Sequence, residues 1–134
     1  FLKRTAARVL EQLGLTGCTV EITLTDDRFM RVQNKKHLGS CTTTDVLSFP
    51  QVNVLESQAG RPSRFRNQHL GDILVSLDQA ERQAKAQGLP LNKEIAFLVL
   101  HSILHLLGHD HDIPKRREKM QRMESRIWKA LFSM

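Results

Sequence analysis

Apolar residues recur at helical spacing over Leu2, Ala6, Val9, Leu10 and Leu13, and Gly14 follows as a natural stop. Thr19–Thr25 then alternates, with Val20, Ile22 and Leu24 on one side and Glu21, Thr23 and Thr25 on the other, as in a half-buried strand. Asp26 and Asp27 suit the electropositive start of a short helix carrying Phe29, Met30 and Val32. A polar stretch from Gln33 to Thr44 leads to a second short strand, Val46-Leu47-Ser48-Phe49, closed by Pro50. Residues 51–69, with Gly60 and Pro62 and no clear period, predict a long loop, and Ile73-Leu74-Val75 predicts the third strand. Ser76-Leu77-Asp78-Gln79 fits a capping box and opens a helix that stops at Gly88.

Asn92 is placed to cap the next helix, with Glu94 in its first turn. From Ile95 to Leu107 that helix is apolar nearly all round, which predicts a central, buried element ended by Gly108. A last helix spans about Lys115 to Leu131 and turns Met120, Met123, Ile127 and Leu131 inward. Phe49, Phe97 and Trp128 read as core residues. The pattern predicts one α+β domain over residues 1–134, a small mixed sheet packed with helices around the buried helix. No internal repeat or interdomain linker interrupts it.

Composition changes this picture little. With 40% hydrophobic and 25% charged residues in 134, the chain is an ordinary globular sequence able to bury one core. Its longest strictly apolar run, Ile95–Leu100, falls far short of the roughly 20 residues a spanning helix needs, so no membrane role is expected. Two cysteines, Cys18 and Cys41, make neither a disulfide scaffold nor a C-x-x-C motif, which favours a reducing compartment. The chain opens on Phe1 without an initiator Met or a signal-type segment, and its start reads as trimmed.

Charge changes it more. The net charge is +6 and the sequence pI about 9.8, which points to a polyanion such as RNA, because cations set on phosphates release condensed counterions. The surplus is concentrated in Arg61, Arg64 and Arg66 and in the segment Lys115–Lys129, where seven basic residues face Glu118 and Glu124. For that second segment a solvated helix face is the stronger reading.

The candidate chemistry lies on the buried helix and just beyond it. His101 and His105 are four residues apart, so both imidazoles project from one helical face, and Gly108 lets the chain turn so that His111 can return to the same point. Two histidines on an apolar face would otherwise each need a buried partner. Three imidazoles leave a fourth tetrahedral position open, the arrangement of catalytic rather than structural zinc. The spacing matches that of metzincin peptidases, but Ser102 stands where their general-base Glu would be, so the metal cage is kept and the peptidase base is lost. No general base is identifiable from sequence. His109 is not expected to be a ligand, since Gly108 ends the helix before it. Asp45 and Asp72 read as structural, Asp72 through backbone N–H groups in a turn, and Asp110 as a support for a ligand imidazole or a turn cap.

At this point a resemblance becomes specific. The string His101-Ser-Ile-Leu-His105-Leu-Leu-Gly-His-Asp-His111, preceded by Thr44-Asp45-Val-Leu-Ser-Phe-Pro50 and by Leu70-Gly71-Asp72-Ile73, resembles the YbeY family of bacterial endoribonucleases that act in ribosomal RNA maturation. The resemblance covers about Val20 to Glu124. It implies that His101, His105 and His111 bind one zinc ion. It also implies a strand ahead of the first helix, in line with a missing N-terminal element. The family's Gly after the first histidine is Ser102 here, and its usual aromatic is His109. Its Tyr-Arg pair falls at His37 and Leu38, so the phosphate-clamping arginine is absent there, and Arg64 and Arg66 are candidates to replace it.

The expectation is therefore a zinc-dependent, single-strand endoribonuclease of the bacterial cytoplasm. It would act in small-subunit rRNA maturation and ribosome quality control, with rRNA and the small ribosomal subunit as partners. An RNA-binding ribosome-assembly factor with a structural or weakly active metal site is the alternative, and a metzincin-like zinc peptidase the third.

Overall fold

The computed structural model describes residues 1–38, 45–51, 68–107 and 113–132. In chain order the elements are α1 (Leu2–Gln12), β1 (Thr19–Thr25), α2 (Asp27–Leu38), β2 (Val46–Pro50), β3 (His69–Ser76), α3 (Leu77–Gln87), α4 (Leu91–Leu106) and α5 (Pro114–Phe132). This is the expected α+β architecture. β3 is central in a mixed sheet of order β1-β3-β2, parallel to β1 and antiparallel to β2.

Two elements are longer than the hydrophobic pattern predicts. α2 continues through Leu38 although residues 33–37 are polar, and Phe29 and Val32 stay exposed while Met30 is buried. Asp26 caps it by accepting from the Phe29 N–H (2.8 Å). The Asp27 carboxylate accepts from Ser76 Oγ (2.7 Å) and the Arg82 guanidinium (2.6 Å), tying α2 to the start of α3. Those two partners, Ser76 first, hold the Asp27 carboxyl below its ordinary 3.8. β3 starts at His69 rather than Ile73, because its pairing to β1 skips Leu70: Thr19 pairs with His69, but Val20 pairs with Gly71. This irregularity turns His69 onto the same face as Asp72, whereas a spacing of three puts residues on opposite faces of a regular strand.

α3 starts and stops as expected: Ser76 Oγ accepts from the Gln79 N–H, and Gly88 takes the left-handed conformation at φ 68°. α4 does not start at Asn92. Pro90 is its cap residue, and the N–H groups of Lys93 and Glu94 both donate to the Pro90 carbonyl, which leaves Asn92 inside the first turn. α4 packs against β2 and β3 and is contacted by α1 and α5, and Leu98, Val99, Ile103 and Leu106 of α4 share one buried core with Val9, Leu10, Met120, Ile127 and Leu131. The burial of α4 follows from its composition, since an almost wholly apolar helix has no face to offer water. Its described end, at Leu106 and the cap residue Leu107, agrees with a helix stop before residue 108. No helix among the described residues is long and apolar enough to cross a membrane.

Candidate metal centre

His101 and His105 lie one turn apart on α4, and their Nε2 atoms approach to 3.1 Å. His101 Nδ1 stands 2.7 Å from the Glu124 Oε1 of α5. A carboxylate at that distance is placed to accept an Nδ1 proton, the tautomer that puts the His101 lone pair on Nε2, the atom facing His105. Glu124 is only 8% exposed, so it is a committed partner and not a solvated charge. A 3.1 Å separation of two imidazole nitrogens is one that metal–nitrogen bonds of about 2.0–2.1 Å can span. The donor set therefore fits a divalent ion. His111, His109 and Asp110 lie outside the described residues, as do Arg64 and Arg66.

Glu124 escaped the sequence reading, which counted it among the charges of a basic helix. Its place on the stripe Met120, Glu124, Ile127, Leu131, at steps of four, three and four, was the available signal: a lone carboxylate on the buried face of one helix, facing a histidine helix.

Ser102 is fully buried, and its Oγ has no hydrogen-bond partner among the described residues. A hydroxyl so enclosed is no general base, in keeping with the loss of the peptidase glutamate. An unsatisfied buried hydroxyl costs about 1–3 kcal/mol. Ser102→Ala is therefore expected to raise stability by about 1 kcal/mol in urea unfolding of the metal-free protein; a loss of stability would contradict this assignment.

A second group able to hold a divalent ion was not anticipated. Glu21 of β1 and His69 and Asp72 of β3 bring ligand atoms within 4.8 Å of one another. Thr19 Oγ1 lies 3.0 Å from His69 Nδ1, and Asp72 Oδ1 lies 2.8 Å from His69 Nε2. Asp72 thus pairs with an imidazole, not with the backbone of a turn as its sequence setting suggests. The group is largely exposed, the His69 and Asp72 side chains at 41% and 38%, against 27% and 10% for His101 and Glu124. Water competes for ligands in the open, so the α4 pair is the better-enclosed donor set. Asp45 is structural in part: its carbonyl accepts from the Ser76 N–H (2.9 Å), and its carboxylate from Gln83 Nε2 (3.3 Å).

The model of one protein family, Endoribonuclease YbeY, matches residues 1–132. The chain belongs to the YbeY endoribonuclease family. Among the YbeY proteins similar to it are one from Thermus thermophilus, 41% identical over 126 residues (94% of this chain, 86% of the relative), and one from Persephonella marina, 37% identical over 134 residues (99% and 83%). Both carry the name endoribonuclease YbeY. The solution structure of a Thermotoga maritima protein is similar in fold, with a TM-score of 0.59 at 24% identity over 98% of this chain and 82% of that one.

Proposed function

We propose that the protein is a metal-dependent endoribonuclease that cleaves single-stranded RNA during maturation of small-subunit rRNA in the bacterial cytoplasm. One divalent ion per chain, zinc in this reading, is held by His101, His105 and His111. The observation that carries the reading is the pair of Nε2 atoms 3.1 Å apart with the Glu124 carboxylate behind His101. Family membership supplies the RNA substrate.

A divalent ion at these residues supplies Lewis acidity toward a phosphoryl oxygen and lowers the pKa of a water molecule. The chain's own part is orientation and attraction. Glu124 fixes the tautomer and ring plane of His101, and the rigid α4 backbone fixes the spacing to His105. Lys115, Arg117, Lys119, Arg122, Arg126 and Lys129 are exposed along α5, the helix that carries Glu124, and give RNA phosphates an electropositive approach to the histidines.

Metal-loaded protein is to be incubated with structured RNA carrying single-stranded loops and with casein, each with and without chelator. Cleavage of RNA alone, abolished by chelator, is the expected outcome. Intact RNA under all conditions would leave the assembly-factor reading, and cleavage of casein alone the peptidase.

A further inference from the structure

Five cations of α5 stand in one line. Lys115, Lys119, Arg122, Arg126 and Lys129 follow one another at steps of four, three, four and three, and all five are exposed. At 3.6 residues per turn they fall within about 40° of the line diametrically opposite Glu124, and they span about 21 Å of the helix axis. The buried stripe Met120, Glu124, Ile127 and Leu131 has the same steps, so the cations mark the outer side of the helix that holds the His101 partner.

A face kept only for solubility mixes its charges, as α3 does with Lys85 Nζ 3.4 Å from the Glu81 carboxylate one turn earlier. None of the five α5 cations is in an ion pair among the described residues. Of the two acids on this helix, Glu124 is withdrawn to His101 and Glu118 stands at the edge of the line. The first turn carries Lys115 and Arg117 and no acidic residue, although the positive end of a helix favours acids there. Cations one turn apart also repel each other. Each of these choices acts against the helix, and together they strengthen one electropositive line. At its far end the Arg8 guanidinium of α1 donates to the Leu131 and Ala130 carbonyls (3.0 and 3.1 Å), setting a further cation over the negative end of α5.

The surface around the line selects among polyanions. A shallow depression of about 430 Å³ is lined by Arg122, Arg126 and Lys129 together with Gln121, Ser125 and Glu118. Gln121 and Ser125 are neutral, exposed groups able to bond phosphate oxygens and ribose hydroxyls. No aromatic ring of α5 lies on this side. Trp128 and Phe132 are turned toward α4, where Lys93 Nζ sits 3.8 Å over the Phe132 ring. Trp128 meets Phe97 edge-on at 5.7 Å in a cleft between α3, α4 and α5; Phe97, a core residue by its sequence pattern, is 38% exposed there. Single strands are held by stacking bases on aromatic rings as well as by phosphate contacts, whereas duplex RNA is held through phosphates and 2′-hydroxyls in a fixed array. A straight, rigid line of cations without rings fits the duplex.

We propose that the outer face of α5 docks the backbone of an RNA duplex, apart from the metal centre, so that single-stranded RNA beside the duplex is presented to the histidines. The choice of RNA among polyanions rests on the nuclease reading above; the line of charge does not. With its side chains α5 is about 10–12 Å across, so a phosphate on this face is not the one at the metal.

Binding is to be measured in chelator, which keeps cleavage out of the measurement, by fluorescence anisotropy of an RNA duplex of about 16 base pairs over a range of salt. The duplex is expected to bind at least about tenfold tighter than an oligouridylate with the same number of phosphates. Arg122→Gln with Arg126→Gln should weaken duplex binding about tenfold at low salt and make the slope of log K against log salt shallower by about two. Arg28→Gln with Arg31→Gln removes the same charge from α2 and should leave the slope nearly unchanged; all four positions are exposed. An unchanged slope in the α5 variant, equal changes in both variants, or equal affinity for duplex and oligouridylate would overturn the proposal. So would binding to phosphatidylserine vesicles by protein that leaves the duplex free, which would assign the face to an anionic membrane. If chelator-sensitive cleavage of RNA persists when docking is absent, only the docking face has failed. If docking is present and cleavage absent, the face stands and the nuclease reading falls.

Discussion

Glu124→Gln is expected to weaken metal binding by about 10–100-fold while the metal-free protein unfolds at nearly the same denaturant concentration. The size follows from what the carboxylate does. At 2.7 Å from His101 Nδ1 it holds that ring in one tautomer and one plane, and its charge makes Nε2 a better donor. Glutamine keeps the shape and can accept the same proton, but it lacks the charge and can turn its amide nitrogen inward. A small effect on folding is expected because Glu124 is buried beside Met120 and Ile127 whichever headgroup it carries. Competition with a chelator of known affinity measures the first quantity and urea unfolding the second. Unchanged affinity would mean that Glu124 is only a helix-to-helix strut. A collapse of stability would mean that its charge is needed by the fold, not by the metal.

Gly71→Ala is expected to cost about 3 kcal/mol of stability or to prevent folding. A Cβ at Gly71 would stand 2.5 Å from the Phe49 carbonyl oxygen, 2.7 Å from Leu106 Cδ2 and 3.1 Å from Pro50 Cα. Two of those atoms are backbone of the neighbouring strand and cannot step aside. The third, Leu106 Cδ2, is the end of a side chain and can turn away, so the clash with the strand backbone sets the cost. Gly14→Ala is the fitting comparison. There φ is +74° and nothing lies within 4 Å of the added carbon, so only the backbone conformation resists and the cost should be about 1 kcal/mol. Urea unfolding of both variants separates close approach from conformation; equal losses would contradict the steric account.

What could be read from the chain was what local chemistry decides. α1, β1, α3 and α5 lie within a residue or two of their expected bounds, because the apolar period is clear in each, and at α3 the caps Ser76 and Gly88 agree with it. The pairing of His101 with His105 follows from a spacing of four on a helix. The misses share another cause. Residues 33–38 are helical without an apolar stripe, since α2 is held through Asp26, Asp27 and Met30 near its start. The first half of β3 was hidden because an irregularity in pairing breaks the two-residue period, and the Glu21–His69–Asp72 group was hidden with it. Asn92 has a side chain that suits a cap, but the chain enters α4 through Pro90.

Glu124 and Phe97 were missed for a tertiary reason. Each is assigned by the helix opposite it, not by its own: a charge in a basic segment becomes the partner of His101, and a phenyl in an apolar run becomes the wall of a cleft. Single-helix periodicity says which residues share a face, but not which element meets that face.

The central claim is that the metal is held by the α4 histidines and not by the exposed group on β1 and β3. The most direct test is the metal content per chain of purified, dialysed wild-type protein beside His101→Ala and His69→Ala. One equivalent in wild type and in His69→Ala, with near-complete loss in His101→Ala, is the predicted result. Full occupancy in His101→Ala, with loss in His69→Ala, would contradict the account and move the metal to Glu21, His69 and Asp72.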